Sequence, residues 1–186
     1  KAPRPNDFME IEGGVVLPEV LRALGLSDVI LIGHSDGGTA SLVYAAEGHP
    51  LRALAVVAPH ILLEPATINA IRDQRAAWAG SVMRERMARH HQDVDAMFEG
   101  WASAWLRIHA AGWSIEPLLA RIRCPVLAIQ GVDDTHGTMV QIDGIKARVP
   151  GEVELVKLPD CGHDPFRDQT ERMLELLTAF VARHST

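Results

Sequence analysis

The sequence is poor in cysteine, in aromatic residues and in clustered positive charge, and each shortage removes a class of protein. Two cysteines among 186 residues, Cys124 and Cys161, cannot build a disulfide framework. Aromatic residues make up only 5% of the chain, and prolines and glycines are scattered along it, so neither a repeat array nor a low-complexity segment has support. Long apolar runs are missing as well. Residues 51–59 and 126–129 are interrupted or far too short to cross a bilayer. Eighteen Lys and Arg against 24 Asp and Glu leave a net charge of -6, whereas a phosphate-binding surface needs a basic excess. Nucleic acid and membrane are therefore poor partners, and a small-molecule substrate is the better expectation. No secretory leader pattern opens the chain, and with so few cysteines this predicts a reducing, cytoplasmic setting.

What is present suffices for one core, since 47% of the residues are apolar. Residues 1–7, with two prolines and Asn6-Asp7, read as an irregular lead-in. Phe8, Val15, Val16, Val20, Leu21 and Leu24 recur at helical spacing and Gly25 supplies a stop. Gly13, Gly14 and Pro18 weaken the middle and predict a kink or two shorter helices. Val29-Ile30-Leu31-Ile32 predicts a strand buried on both faces. A glycine-rich turn leads to a helix over 39–47, and a second strand follows over 51–58. This alternation predicts a parallel sheet with crossover helices. Over 61–119 no β-rich run appears and Ala, Arg, Met, Trp and Glu dominate, which predicts a helical insertion holding all four tryptophans, Trp78, Trp101, Trp105 and Trp113. The sheet resumes at 125–130, a short helix follows at 142–148, and a strand over 153–158 and an amphipathic helix over 168–184 close the chain.

Gly33-His34-Ser35-Asp36-Gly37-Gly38 lies between the first strand and a helix, the setting of a nucleophile elbow. A serine on so tight a turn needs small residues two before and two after it, and Gly33 and Gly37 meet that demand. The following helix directs backbone N–H groups at the site, with the N–H of Asp36 placed to hold a developing oxyanion. The glycine spacing of a dinucleotide loop and the lysine of a P-loop are both missing. A nucleophilic serine needs a base, and the base an orienting acid. Gly131-Val132-Asp133-Asp134 follows the third strand, and Asp160-Cys161-Gly162-His163-Asp164-Pro165 follows the fourth. In a parallel sheet the C-terminal ends of all strands share one edge, so Ser35, one of the two aspartates and His163 converge there.

Three motifs in this order resemble the α/β-hydrolase superfamily from residue 8 to the end, including an insertion where that family places its lid. Gly-His-Ser-Asp-Gly-Gly and the lid position are most similar to the branch containing valacyclovir hydrolase and the meta-cleavage C–C hydrolases. The resemblance implies an α/β fold with a mostly parallel sheet, a core from residues 1–60 and 120–186, and a helical lid over 61–119. It implies Ser35 as nucleophile, His163 as general base and Asp134 as acid, because the family's acid usually lies three residues after the strand-ending glycine, here Gly131. Asp133 stays open as the alternative. No cofactor and no metal are implied. The implied activity is a serine hydrolase acting on a small carboxylic ester, thioester, amide or lactone through an acyl-enzyme. The alternatives are a C–C bond hydrolase of a dienone acid and a non-catalytic ligand-binding protein on the same scaffold. The family's early strands and its second oxyanion loop have no counterpart in residues 1–7, so the expectation is the C-terminal portion of the fold, with the first strand's edge unpaired.

Asp36, His34, His60 and Trp105 are candidate substrate contacts. A carboxylate at Asp36 facing the pocket would favour a cationic group such as the ammonium of an amino-acid ester. The alternative is that Asp36 caps the elbow helix or pairs with a lid arginine. Trp101, Trp105 and Trp113 either line an acyl pocket or pack the lid on the core. His90, His91, His109 and His136 lack the neighbours of a metal site and read as surface or lid histidines. Cys161 reads as a buried filler, and Arg84, Arg86 and Arg89 as a solvated helix face.

Overall fold

The computed structural model describes residues 3–185. Lys1, Ala2 and Thr186, the outermost residues of the expected core segments 1–60 and 120–186, lie outside the described residues. Helices Phe8–Ile11 (α1) and Leu17–Ala23 (α2) are joined by a π-helical turn over Glu12–Val16, so the glycine pair loosens the helix without breaking its direction. Strand Val29–His34 (β1) leads into helix Asp36–Ala46 (α3), then strand Leu51–Val57 (β2). Helices Pro65–Ala77 (α4), Val82–Met87 (α5), Val94–Ala110 (α6) and Glu116–Leu119 (α7) fill the interval before strand Val126–Gly131 (β3). Helix Val140–Arg148 (α8), strand Val153–Leu158 (β4), a single turn Pro165–Asp168 (α9) and helix Thr170–His184 (α10) complete the chain.

The four strands pair in parallel in the order β1-β2-β3-β4. Side chains alternate across β2 and β3. Leu54, Val56, Val126 and Ala128 pack with Leu42 and Val43 of α3 and Ile142 and Ile145 of α8. Ala53, Ala55, Val57, Leu127 and Ile129 pack on the other face with Met173, Leu177 and Phe180 of α10. Both faces of the central strands are thus covered, as a parallel sheet requires.

β1 departs from its expected burial on both faces. Ile32 is 47% exposed, and Val29, Ile30 and Leu31 are only half-buried. The cause is position: β1 is an edge strand, with β2 on one side and no strand on the other among the described residues. α3 also begins three residues before the expected position 39, directly after Ser35, and the final helix is split by Gln169, whose backbone leaves the helical region.

The helices between β2 and β3 have a core of their own. The rings of Trp78 and Phe98 stack at 3.7 Å, and Val94, Ala102, Trp105 and Ile108 of α6 pack with Phe8 and Met9 of α1. Gln141 of α8 is fully buried and pins the start of this segment. Its Oε1 accepts from the Ile61 amide at 2.8 Å, and its Nε2 donates to Leu62 O and to Glu64. Arg84 pairs with Asp95 on the surface, in keeping with a solvated face on α5. Among the described residues no helix is long and apolar enough to cross a membrane.

Candidate active site

Ser35 stands alone between β1 and α3 with φ 53° and ψ -121°, a left-handed conformation that costs a residue bearing a Cβ on the order of 1–3 kcal/mol. Its amide donates to Val57 O and its carbonyl accepts from the Thr39 amide, which hold the turn against that strain. Gly33 makes the turn possible, because a Cβ there would lie 2.4 Å from Gly37 O. Gly37 itself has open space where a Cβ would go, contrary to the expectation that both motif glycines are sterically required. Gly37 offers its backbone to Gly33, and the other crowded position is Gly38, 3.2 Å from Pro59. Since α3 begins at Asp36, the Asp36 N–H has no carbonyl one turn earlier in the helix to bond.

His163, on the loop after β4, approaches Ser35 Oγ to 3.0 Å through Nε2. Its Nδ1 lies 3.0 and 2.9 Å from the two carboxylate oxygens of Asp134. The acid is itself held. Oδ1 accepts from the His136 amide at 2.7 Å and the Gly137 amide at 3.3 Å, and Oδ2 accepts from Gln130 Nε2 at 3.2 Å. Asp133 is exposed, and its amide donates to Cys161 O, which fastens the acid loop to the histidine loop. Gly131 permits that close approach, since a Cβ there would meet Cys161 O at 2.2 Å. Of the two candidate acids, the structure therefore brings Asp134 to His163. Burial alone would raise the Asp134 carboxyl, but the hydrogen bond and charge of His163 and the His136 amide outweigh it, leaving the pKa below the ordinary carboxylate value.

Three further histidines surround the His163 ring. His34 Nε2 donates to His163 O at 2.8 Å, so this candidate substrate contact also anchors the backbone of His163. His60 lies at 5.9 Å between ring centroids and His136 at 4.4 Å, both in stacked orientation. Burial, then the neighbouring charge of His163, lowers His60 to about 3 and His136 to about 4, so both are neutral near pH 7. His136 is thus part of the site, a correction to its reading as a surface or lid histidine. The loop after β3 folds back over the acid, and Thr67 and Gln74 of α4 hold it, donating to the His136 carbonyl and approaching Nε2 at 2.8 Å. Asp134, His136 and His163 offer ligand atoms within 4.8 Å of one another. Stacked rings do not converge their lone pairs on one point, and both His163 nitrogens and both Asp134 oxygens are engaged, so the cluster suits a proton relay better than an ion.

Asp36 neither caps α3 nor pairs with a lid arginine. Its Oδ2 accepts from the indole N–H groups of Trp101, at 3.0 Å, and Trp105, at 3.3 Å, both on α6. Burial raises its pKa, and the two indole hydrogen bonds oppose that rise. Trp101 and Trp105 both pack in the helical segment and also line the cavity beside Ser35. Trp113 packs between the segment and the core and donates to Glu10. The cavity, about 180 Å³, meets Ser35, Asp36, His34, His60, Trp105 and His163. It also meets Thr67, Ile71, Gln74 and Met83, residues that sequence reasoning missed. Their helices carried no motif, and only the chain's return over the strand ends brings them there.

The alpha/beta hydrolase family profile matches residues 3–176. No curated protein matches the chain in sequence. Among solved structures, a thermophilic esterase from Thermogutta terrifontis superposes with a TM-score of 0.70 at 22% identity, over 96% of this chain and 73% of that one. The esterase RhEst1 from Rhodococcus superposes with a TM-score of 0.67 at 20% identity, over 99% and 76%. E-2-(acetamidomethylene)succinate hydrolase gives 0.68 at 17% identity, over 98% and 75%. A four-stranded parallel sheet with a serine elbow at its C-terminal edge, matched along nearly its whole length by the family profile, belongs to the alpha/beta hydrolase family.

Proposed function

We propose that the chain is a serine hydrolase of small-molecule carboxylic esters. The observation that carries this reading is the unbroken hydrogen-bonded line from Ser35 Oγ through His163 to Asp134. The esterases among the structural neighbours favour an ester over a thioester, amide or lactone. Ser35 Oγ attacks the substrate carbonyl carbon while its proton passes to His163 Nε2, and Asp134 stabilises the imidazolium through Nδ1. The carbonyl electron pair moves to oxygen, where the Asp36 N–H at the head of α3 donates to it. As the tetrahedral intermediate collapses, the C–O bond to the leaving alcohol breaks and His163 returns its proton to that oxygen. Water, deprotonated by His163, then bonds to the acyl carbon, the bond from that carbon to Ser35 Oγ breaks, and His163 returns the proton to Oγ as the acid leaves. α4 to α6 act as the lid, and Asp36, bonded to Trp101 and Trp105, ties that lid to the elbow. Two free cysteines suit a cytoplasmic location.

A fluorophosphonate probe tests this reading. The folded wild-type chain should label and should hydrolyse a fluorogenic short-chain ester, and Ser35→Ala should lose both. A folded wild-type chain that does neither would favour a ligand-binding role for the same scaffold.

A further inference from the structure

β3 is aliphatic from Val126 to Ile129 and then carries a fully buried glutamine, Gln130. A primary amide taken out of water is costly unless its hydrogen bonds are replaced. Gln130 does not line the cavity beside Ser35, and the mechanism above makes no use of it. Its Nε2 donates twice, to Gly137 O at 2.7 Å and to Asp134 Oδ2 at 3.2 Å. Both partners only accept, so turning the amide over would set oxygen against oxygen. This orientation is kept although Oε1 has no hydrogen-bond partner among the described residues. The packing thus favours the two donated bonds over a fully paired amide.

Resting on the esterase reading, we infer that Gln130 is a positioning residue for the acid: it binds Asp134 Oδ2 and Gly137 O together, holds the carboxylate in line with His163 and tempers its charge. It touches neither substrate nor reacting atoms and acts through Asp134. The Gly137 amide donates to Oδ1 of the same carboxylate, so the loop over 134–137 is closed directly at one oxygen and through Gln130 at the other. Oδ2 is also the oxygen 2.9 Å from His163 Nδ1. A donor on that oxygen competes with His163 for its electron density and leaves less of it to stabilise the imidazolium. Removing the donor therefore strengthens the bond from His163 and favours the protonated ring, in which Nε2 cannot accept the serine proton. Around His163 stand Asp134, the carboxyl of Asp36 and the rings of His34, His60 and His136, and Asp168 holds the adjoining Gly162 amide. Glutamine carries no charge, so its replacement changes the charge of none of these groups.

The test measures kcat and KM for p-nitrophenyl butyrate from pH 5 to 10 on the full chain, with circular dichroism to confirm folding. Gln130→Met and Gln130→Leu remove the same donors but differ in shape. Gln141→Met is the control, since Gln141 is as deeply buried but bonds to the segment 61–64 and not to the triad. Both Gln130 variants should lose about tenfold or more in kcat, as expected for one hydrogen bond to a charged group, with KM within about twofold because the residue is outside the cavity. The acid limb of kcat/KM should move up by about half a pH unit or more in both. Gln141→Met should melt at a lower temperature and keep its acid limb in place. An unmoved limb in the Gln130 variants, an equal movement in Gln141→Met, or a loss confined to KM overturns the positioning role and leaves the esterase reading intact. A folded wild type without Ser35-dependent hydrolysis overturns the esterase reading instead. The bond to Asp134 is then read by proton NMR, where the His163 Nδ1 proton should move downfield in Gln130→Met and stay in place in Gln141→Met; an unmoved signal in Gln130→Met overturns the role of Gln130.

Discussion

Replacing Asp134 by Asn changes one oxygen to an NH2 group and little in shape, and the donors around the carboxylate dictate which way the new amide must face. Oδ1 receives two backbone N–H groups, from His136 at 2.7 Å and Gly137 at 3.3 Å, and neither can turn away. The asparagine carbonyl must take that place. Its NH2 then falls where Oδ2 was, 2.9 Å from His163 Nδ1 and 3.2 Å from Gln130 Nε2. Gln130 can reverse its amide, since its Oε1 has no partner to lose, although its bond to Gly137 O is then given up. His163 Nδ1 lies 3.0 Å from the carbonyl oxygen that stays and 2.9 Å from the NH2 that arrives, and the closer NH2, which can only donate, favours an unprotonated Nδ1. The imidazole proton then sits on Nε2, facing Ser35, and the ring cannot accept the serine proton. Such a tautomer error costs about 10⁴ in kcat, or roughly 5–6 kcal/mol of barrier. The assay is kcat and kcat/KM for a fluorogenic ester from pH 6 to 10, with circular dichroism to confirm folding. Asp133→Asn, at an exposed position, should stay within about twofold of wild type. An Asp134→Asn enzyme within tenfold of wild type, or an equal loss in Asp133→Asn, would refute the reasoning.

Three other outcomes are expected. Gly33→Ala should destabilise the fold by about 1–3 kcal/mol through the clash with Gly37 O, whereas Gly37→Ala, inside α3 with free space, should be neutral or stabilising by up to about 1 kcal/mol; urea denaturation separates them, and equal losses would contradict the elbow packing. His60 and His136 are depressed to about 3 and about 4 in the folded chain but titrate near 6.5 when unfolded, so below pH 6.5 the unfolded chain binds protons that the folded chain refuses. Stability should therefore fall with pH towards 4.5 by about 1.4 kcal/mol per pH unit for each histidine, His136→Phe should roughly halve the slope, and a flat melting temperature would exclude the account. Asp36→Asn keeps an acceptor for the two indoles but removes the ionisable carboxyl, and should lower kcat/KM for α-amino esters about tenfold more than for neutral esters. Equal losses on both would leave Asp36 as a tether alone.

Much of the framework was legible because it rests on local chemistry. The aliphatic runs at Val29 to Ile32 and Val153 to Leu158 mark strands whatever surrounds them, and Gly33 before Ser35 marks a turn that few other residues allow. Parallel order followed from the intervening helices, and with it the meeting of Ser35, His163 and an aspartate on one edge. The unpaired edge of the first strand was expected from the resemblance, but the aliphatic run from Val29 to Ile32 by itself predicts burial on both faces and carries no sign that Ile32 is 47% exposed. Nor was the place of His136 legible, whose neighbours in sequence give no sign that Thr67 and Gln74, more than sixty residues away, hold it over His163.

By itself the sequence determined which elements form, their order, and which residue types stand at the strand ends, because hydrophobic period, glycine geometry and chain connectivity act over short distances. Only the tertiary structure decided between Asp133 and Asp134, gave Asp36 two indole partners in place of a cap or an arginine, and stacked His60 and His136 on the ring of His163. Those outcomes depend on hydrogen-bond directions between segments that share no local pattern, so they exist only once the helices between β2 and β3 have folded back over the sheet.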